Sequence, residues 1–255
     1  MFRSLDWGKL AAEFAVIVIG ILAALAVDDW RQSRNDRATE RYILQGILSD
    51  LERDRDDIES AVNTAMVRAS AANKLLSLID HPAAGVIEFV PWTSDPGNLD
   101  QQQAFDKALE QYPANTLSVG GAYRMLVATA SMQRVNVSAA TYTEASASGE
   151  MDTVQDTELR AELAQYYYRT TQFGVTPDSR VDANFHHFRN SLAAAGLPSG
   201  VRPADEDILR VLRADDTLAA ELINTREFAV SQIMLNGIVL EAAINLSSSL
   251  KHLSE

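Results

Sequence analysis

One stretch constrains this chain more than any other: Leu10 to Val27, LAAEFAVIVIGILAALAV, eighteen residues in which Glu13 carries the only charge. At the rise of an α-helix it extends about 27 Å, against a hydrocarbon core of roughly 30 Å. A transmembrane helix is therefore predicted, and the remaining chain must fold from a point held at a lipid bilayer. The competing assignment is a cleaved signal peptide, since Arg3 and Lys9 precede the run and Ala24 and Ala26 offer a small-residue cleavage site. The run exceeds the roughly 7–15 apolar residues of a signal-peptide core, which favours retention. Trp7 and Trp30 bracket the segment at headgroup depth and Lys9 is placed to snorkel, so these three are the expected interface residues.

Topology is nearly balanced. Arg3, Lys9 and the terminal amine stand before the segment, and Arg31, Arg34, Arg37 and Arg41 after it, so a bare count favours a cytoplasmic C-terminal domain. Asp28 and Asp29 bring the stretch after the segment close to neutral and tip the expectation slightly toward a periplasmic domain at a bacterial inner membrane. Gly20 and Ala24 form a small-xxx-small pair with Ala23 alongside, the pattern that lets two helices approach closely in lipid; the bland alternative is that such residues are common in membrane helices. Glu13, one turn inside the boundary, is expected to reach the headgroups rather than to move protons.

Beyond the anchor, Arg31 to about Asp80 contains no Pro and only Gly46. Apolar positions alternate in steps of four and three through Leu44, Leu48, Leu51, Ile58, Val62, Ala65, Ala69, Ala72, Leu76 and Ile79, broken only at Arg55. This predicts one long amphipathic helix, a stalk that becomes the first member of a bundle and whose stripe is a candidate bundle or partner surface. Glu52, Arg53, Asp54, Asp56, Asp57 and Glu59 have the pattern of a solvated face. Asp50, Asp54 and Asp57 share a flank, but with no ligand loop and no His beside them they make a poor cation site.

His81-Pro82 should end that helix, and Pro82, Gly85, Pro91, Pro96 and Gly97 mark an irregular connection over 82–100 in which Val86–Trp92 is a short strand or a tucked loop. Phe89 and Trp92 are expected to pack inward. Further helices are predicted over 101–112, 117–134, with Tyr123, Leu126, Val127 and Ala130 on one face, and about 138–147. Another starts at an Asp156 N-cap, with Leu159, Leu163, Tyr166, Tyr167 and Thr170 inward. Then come 177–195, ended by Gly196 and Pro198, a short helix through Arg213, and a long one capped at Asp215-Asp216. That last helix has the stripe Leu218, Leu222, Ala229, Ile233, Val239, Ala243, Leu246 and Leu250 and should pair with the first. The expected class is mainly α: a transmembrane helix (1–30) continuing into an antiparallel helical bundle (31–255).

Two blocks resemble a known group. IVIGILAALAVDDW followed by WRQSRNDRATERYILQGILSDLERD, and later TYTEASASGEMDTVQDTELRAELAQYYYR, residues 141–169, look like the recurring stretches of domain-of-unknown-function family 6090, a bacterial set of single-pass membrane proteins. The resemblance covers about a third of the chain. It implies an anchored, mainly helical domain and carries no catalytic residue across.

The function classes narrow by chemistry. A net charge of -13 from 35 acidic and 22 basic residues repels a phosphate backbone, so a nucleic-acid partner is not expected. With no Cys and four His, thiolate chemistry is excluded and the usual base vocabulary is thin. His186-His187 point about 100° apart on a helix and lack the i, i+4 spacing of a zinc pair, so surface or hydrogen-bonded roles are expected. Gly120-Gly121 lacks the spacing and Lys of a phosphate loop. No catalytic motif, metal site or cofactor is expected. What remains is an anchored structural or interaction protein, an accessory subunit or self-associating scaffold whose partners are the bilayer and another protein or copy. The alternative is a sensory or ligand-binding module, and because no output domain follows Glu255 that module would need a separate partner.

Overall fold

The computed structural model describes residues 7–86, 121–133, 135–171, 178–198 and 200–254. Within them the chain is helical, with no strand among the described residues. The helices are α1 (Trp7–Leu78), α2 (Gly121–Thr129), α3 (Ala140–Ser148), α4 (Thr157–Arg169), α5 (Asp178–Ala194), α6 (Asp205–Ala214) and α7 (Asp216–Ser254), and a 3-10 turn spans Glu150–Thr153.

α1 is one uninterrupted helix of 72 residues, about 108 Å long. It passes through Asp28-Asp29 without a break, as a sequence free of internal Pro allows. Its end is local chemistry: Asp80 takes a left-handed conformation (φ 57°), and His81 N–H reaches back to the Leu76 carbonyl at 3.0 Å while Asp80 N–H meets that of Ser77 at 3.1 Å. Those two bonds close the last turn, and Pro82 cannot continue it. Gly196 closes α5 in the same way, with φ 85° and the Leu197 N–H on the Leu192 carbonyl at 2.8 Å. Asp156 caps α4 by accepting from Glu158 and Leu159 N–H, and Asp215 caps α7 through Thr217 and Leu218.

The frame is α1 against α7. Glu52 pairs with Lys251, Arg68 with Gln232 and Asn73 with Arg226, so residue numbers fall along one helix as they rise along the other. All eight predicted inner positions of α7 are buried. Two apolar clusters form along this pair. The first joins Ile43, Ile47, Leu51 and Ile58 to Leu163, Tyr166, Ile233 and Val239. The second joins Leu75 and Leu76 to Met125, Phe188, Ile208 and Leu222. Between them Arg68, Asn73, Arg226 and Gln232 are buried and satisfy one another in part, as buried polar groups must.

The inner line of α1 is displaced from the predicted stripe at its start. Leu51, Ile58 and Val62 are buried, but Leu44 and Leu48 are only half-buried and the fully covered positions are Ile43 and Ile47. The line runs 43, 47, 50, 54, 58, and it includes two carboxylates because α3 and α4 supply donors there. Asp54 is therefore no part of a solvated face; it is fully buried. α2 also differs from expectation, stopping at Thr129 rather than near Arg134. Thr129 and Ser131 hydroxyls bond the Met125 and Ala128 carbonyls, and the Gln133 side chain leaves the helix to accept from Ser60 and Thr64 on α1. The predicted starts of that helix at Leu117 and of another at Gln101, and the Val86–Trp92 segment with Phe89 and Trp92, lie outside the described residues beyond Val86.

Candidate functional site

The first feature is the bare N-terminal part of α1. Nothing from Phe14 to Tyr42 is buried, and Ile43 is the first core residue. Phe14, Val16, Ile17, Ile19, Leu22 and Leu25 are all exposed by more than half. Gly20 has open space where a side chain would stand, and Ala23 and Ala24 are exposed. Trp30 is exposed, with the Arg34 guanidinium 5.6 Å from its ring centroid. Trp7 and Lys9 lie in the first turn of α1; their side chains are outside the described set.

Among the described residues one helix, α7, is by length and composition apolar enough to cross a membrane over Asp216–His252, but 56% of its apolar window is buried inside the protein. It also carries Glu221, Thr225, Arg226 and Asn236 at buried positions. That is the composition of a bundle core, apolar on the faces that meet α1 and polar where partners exist.

The second feature is an acidic clasp on α1. The residue before α3 is Ala139, which has no side chain able to cap it, so the free N–H groups of that helix end need acceptors from elsewhere. α1 provides them. Asp54 accepts the Ser138 N–H at 2.6 Å, and Asp50 accepts the Ser138 hydroxyl at 3.1 Å and the Thr141 N–H at 3.3 Å. The Tyr166 hydroxyl from α4 donates to the other Asp54 oxygen at 3.0 Å. Tyr167 stands edge-on to Tyr166 and stacks on Tyr142 at 4.3 Å, while Tyr168 is exposed; of the three consecutive Tyr, the first two are core, as the stripe predicts, and the third is rim. Gly46 makes room, since a Cβ there would lie 2.7 Å from the Thr141 methyl.

Electrostatics follow the burial. Desolvation pushes Asp54 up to about 6, with Asp50 and Asp57 adding to the rise and the bonds from Ser138 and Tyr166 opposing it. Burial, with Asp54 alongside, also holds the Tyr166 and Tyr167 hydroxyls above the usual phenol range, so both stay protonated. Asp57 is half-buried, and no group of three or more His, Asp or Glu arranged to hold a metal occurs among the described residues. Asp50 and Asp54 of that flank of α1 instead hold the segment entering α3 and the Tyr166 hydroxyl.

Two more long-range contacts finish the frame. Asp205 accepts the Tyr123 N–H at 2.9 Å, and its carboxylate occupies the space beside Gly121, whose φ of 74° suits glycine. Arg226 is fully buried and fans its guanidinium to Asn73 Oδ1 at 3.0 Å, the Ala83 carbonyl at 2.7 Å and the Val86 carbonyl. His186 is exposed, and His187, also exposed, meets the buried Glu221 at 2.8 Å. Tyr123, Leu126, Val127 and Ala130 do share a face, but it lines an apolar cavity of about 320 Å³ with Leu192 and Leu197. The buried positions of α2 are Ala122, Met125, Leu126 and Thr129. Set against family models, curated proteins and solved structures, the chain matches none.

Sequence patterns did not reveal Asp50, Asp54, Arg68 or Arg226 as interior. One signal was present: 43-47-50-54-58 is a helical stripe once carboxylates are admitted to core positions.

Proposed function

We propose that this chain is a membrane-anchored structural or interaction protein of a bacterial inner membrane, serving as an accessory subunit or a self-associating scaffold. The observation that carries it is the unbroken α1, whose apolar Phe14–Val27 portion is bare while its distal half is the spine of the core. An exposed apolar helix of that length is unstable in water and at home in lipid. On this reading Leu10–Val27 spans the bilayer between Trp7 and Trp30, and 31–42 is a short stalk. α1 and α7 are then the long members of an antiparallel bundle, held on the periplasmic side. Gly20, Ala23 and Ala24 are the surface for pairing with a second helix. The resemblance to domain-of-unknown-function family 6090 agrees with this arrangement. Crosslinking in native membranes followed by blue-native electrophoresis after mild extraction tests it. A discrete species larger than the monomer is expected, reduced by Gly20→Ile. A lone monomer without crosslinked partner would remove the scaffold reading.

A ligand-binding module is the second reading, supported by the cavity between α2, α5 and the loop 197–203. A thermal-shift screen with small apolar compounds should raise the melting temperature if that cavity is used. No shift from any of them counts against it.

A further inference from the structure

The cavity between α2, α5 and the chain leading to α6 is apolar at its floor and cationic at its mouth. Leu126, Leu192 and Leu197 line it and are buried, so they form the floor. Tyr123, Ala130 and Pro203 line it half-buried, as walls. Arg189 lines it too and is exposed, which places its side chain at the rim; its guanidinium carbon also lies 5.2 Å from the centre of the Phe185 ring. A second guanidinium, that of Arg202, stands 5.4 Å from the centre of the Tyr123 ring, behind one wall. No Asp or Glu lines the cavity. Asp205, which reaches the Tyr123 backbone, is engaged by its N–H and fills the space beside Gly121.

We propose that this cavity binds a monocarboxylate with a compact apolar body, the carboxylate at Arg189 and the body on the three leucines. The inference deepens the ligand-binding reading of the cavity and rests on it. A volume of about 320 Å³ stands at the low end of ligand pockets, which run roughly 300–1,000 Å³. At about 30 Å³ for each water-sized unit it holds on the order of ten non-hydrogen atoms, enough for an aryl-alkanoic or medium-chain acid and too few for a nucleotide or a long-chain lipid. Among the lining side chains only Tyr123 and Arg189 carry polar atoms. A sugar or peptide would leave its own polar groups without partners there, whereas a single carboxylate meets a guanidinium through paired hydrogen bonds. An amine of the same shape is repelled by the two arginines. The net charge of -13 does not reverse this, because charges beyond about 10 Å are screened by salt while the rim cation is in contact with the ligand. The mouth is preformed: Pro198 and Pro203 fix their own φ, and Gly200 holds φ 92° with open space where a side chain would stand, which lowers the ordering cost of binding.

The test uses the full chain in uncharged detergent with three probes of one shape at neutral pH: phenylpropionate, its neutral amide and phenylpropylamine. Binding is read by equilibrium dialysis against empty micelles of the same detergent. The acid should bind roughly five- to tenfold more tightly than the amide, as a charge-assisted contact at a partly exposed rim allows, and the amine most weakly. Arg189→Gln should bring the acid down to the level of the amide and leave the amide unchanged, and Arg189→Lys should keep part of the preference. Val127→Trp, which sets an indole across the mouth from an exposed position, should weaken acid and amide alike. Circular dichroism should match the parent for all three variants, since both positions are exposed. Equal or reversed binding of acid and amide by the parent, or an acid preference that survives Arg189→Gln, would overturn the carboxylate assignment and leave the cavity reading standing. Binding of none of the probes, or binding that Val127→Trp does not weaken, would sink the cavity reading and this inference with it.

Discussion

Asp54 allows the sharpest test of how this bundle is held. Its carboxylate is fully buried and bonded to Ser138 and Tyr166, and burial lifts its pKa from 3.8 to about 6. The folded state therefore takes up a proton before the unfolded chain does. Stability from this group rises as pH falls through about 6 and is complete below 3.8, the reverse of a salt-bridged carboxylate. Two pK units at 1.36 kcal/mol each make the swing about 3 kcal/mol. Asp54→Asn keeps the shape and removes the titration. The assay is urea unfolding of parent and variant in uncharged detergent, followed by circular dichroism from pH 7.5 to 3.5. The parent-minus-variant stability should climb by about 3 kcal/mol over that range. Carbon-13 detection of the Asp54 carboxyl should show a midpoint near 6. A flat difference, or one falling with acid, would show that the Ser138 and Tyr166 bonds outweigh desolvation and would refute the reasoning.

Three further outcomes follow from the packing. Ile47→Ala should cost about 2–5 kcal/mol in urea unfolding and Leu44→Ala under about 1.5, because only Ile47 is fully covered; the opposite order would restore the register expected from the apolar stripe. Gly46→Ala should cost about 1–3 kcal/mol by driving a methyl into Thr141, and Thr141→Ser, which deletes the opposing methyl, should recover part of it in a double-mutant cycle; strict additivity would refute the contact. Arg226→Met should cost about 3–5 kcal/mol by stranding Asn73 and two carbonyls, and Arg226→Lys should not rescue it, since one ammonium cannot reproduce the guanidinium fan; full rescue by Lys would show that charge alone matters.

Local signals in the sequence were reliable at several helix termini. Asp156 and Asp215 cap through neighbours two and three residues on, and Gly149 and Gly196 adopt the left-handed turn that a side chain disfavours. The inner face of α7 was equally legible, because every inner position that the stripe named is apolar and the 3.6-residue period needs no partner to define it. The end of α2 was not, because Gln133 is drawn off by hydroxyls 69 and 73 residues away.

What the sequence by itself determined, then, is that this is a helical chain with one apolar segment at its start, two long helices suited to pair, and the places where most helices stop. Tertiary structure alone decided which flank of α1 faces inward. A carboxylate or guanidinium scores as solvent-facing in any local pattern, and its burial becomes affordable only when donors or acceptors arrive from distant elements: Tyr166 for Asp54 across 112 residues, Asn73 for Arg226 across 153. Periodicity records the apolar contribution of a residue within its own helix. The polar interior of this bundle is set by partners that only the fold brings together.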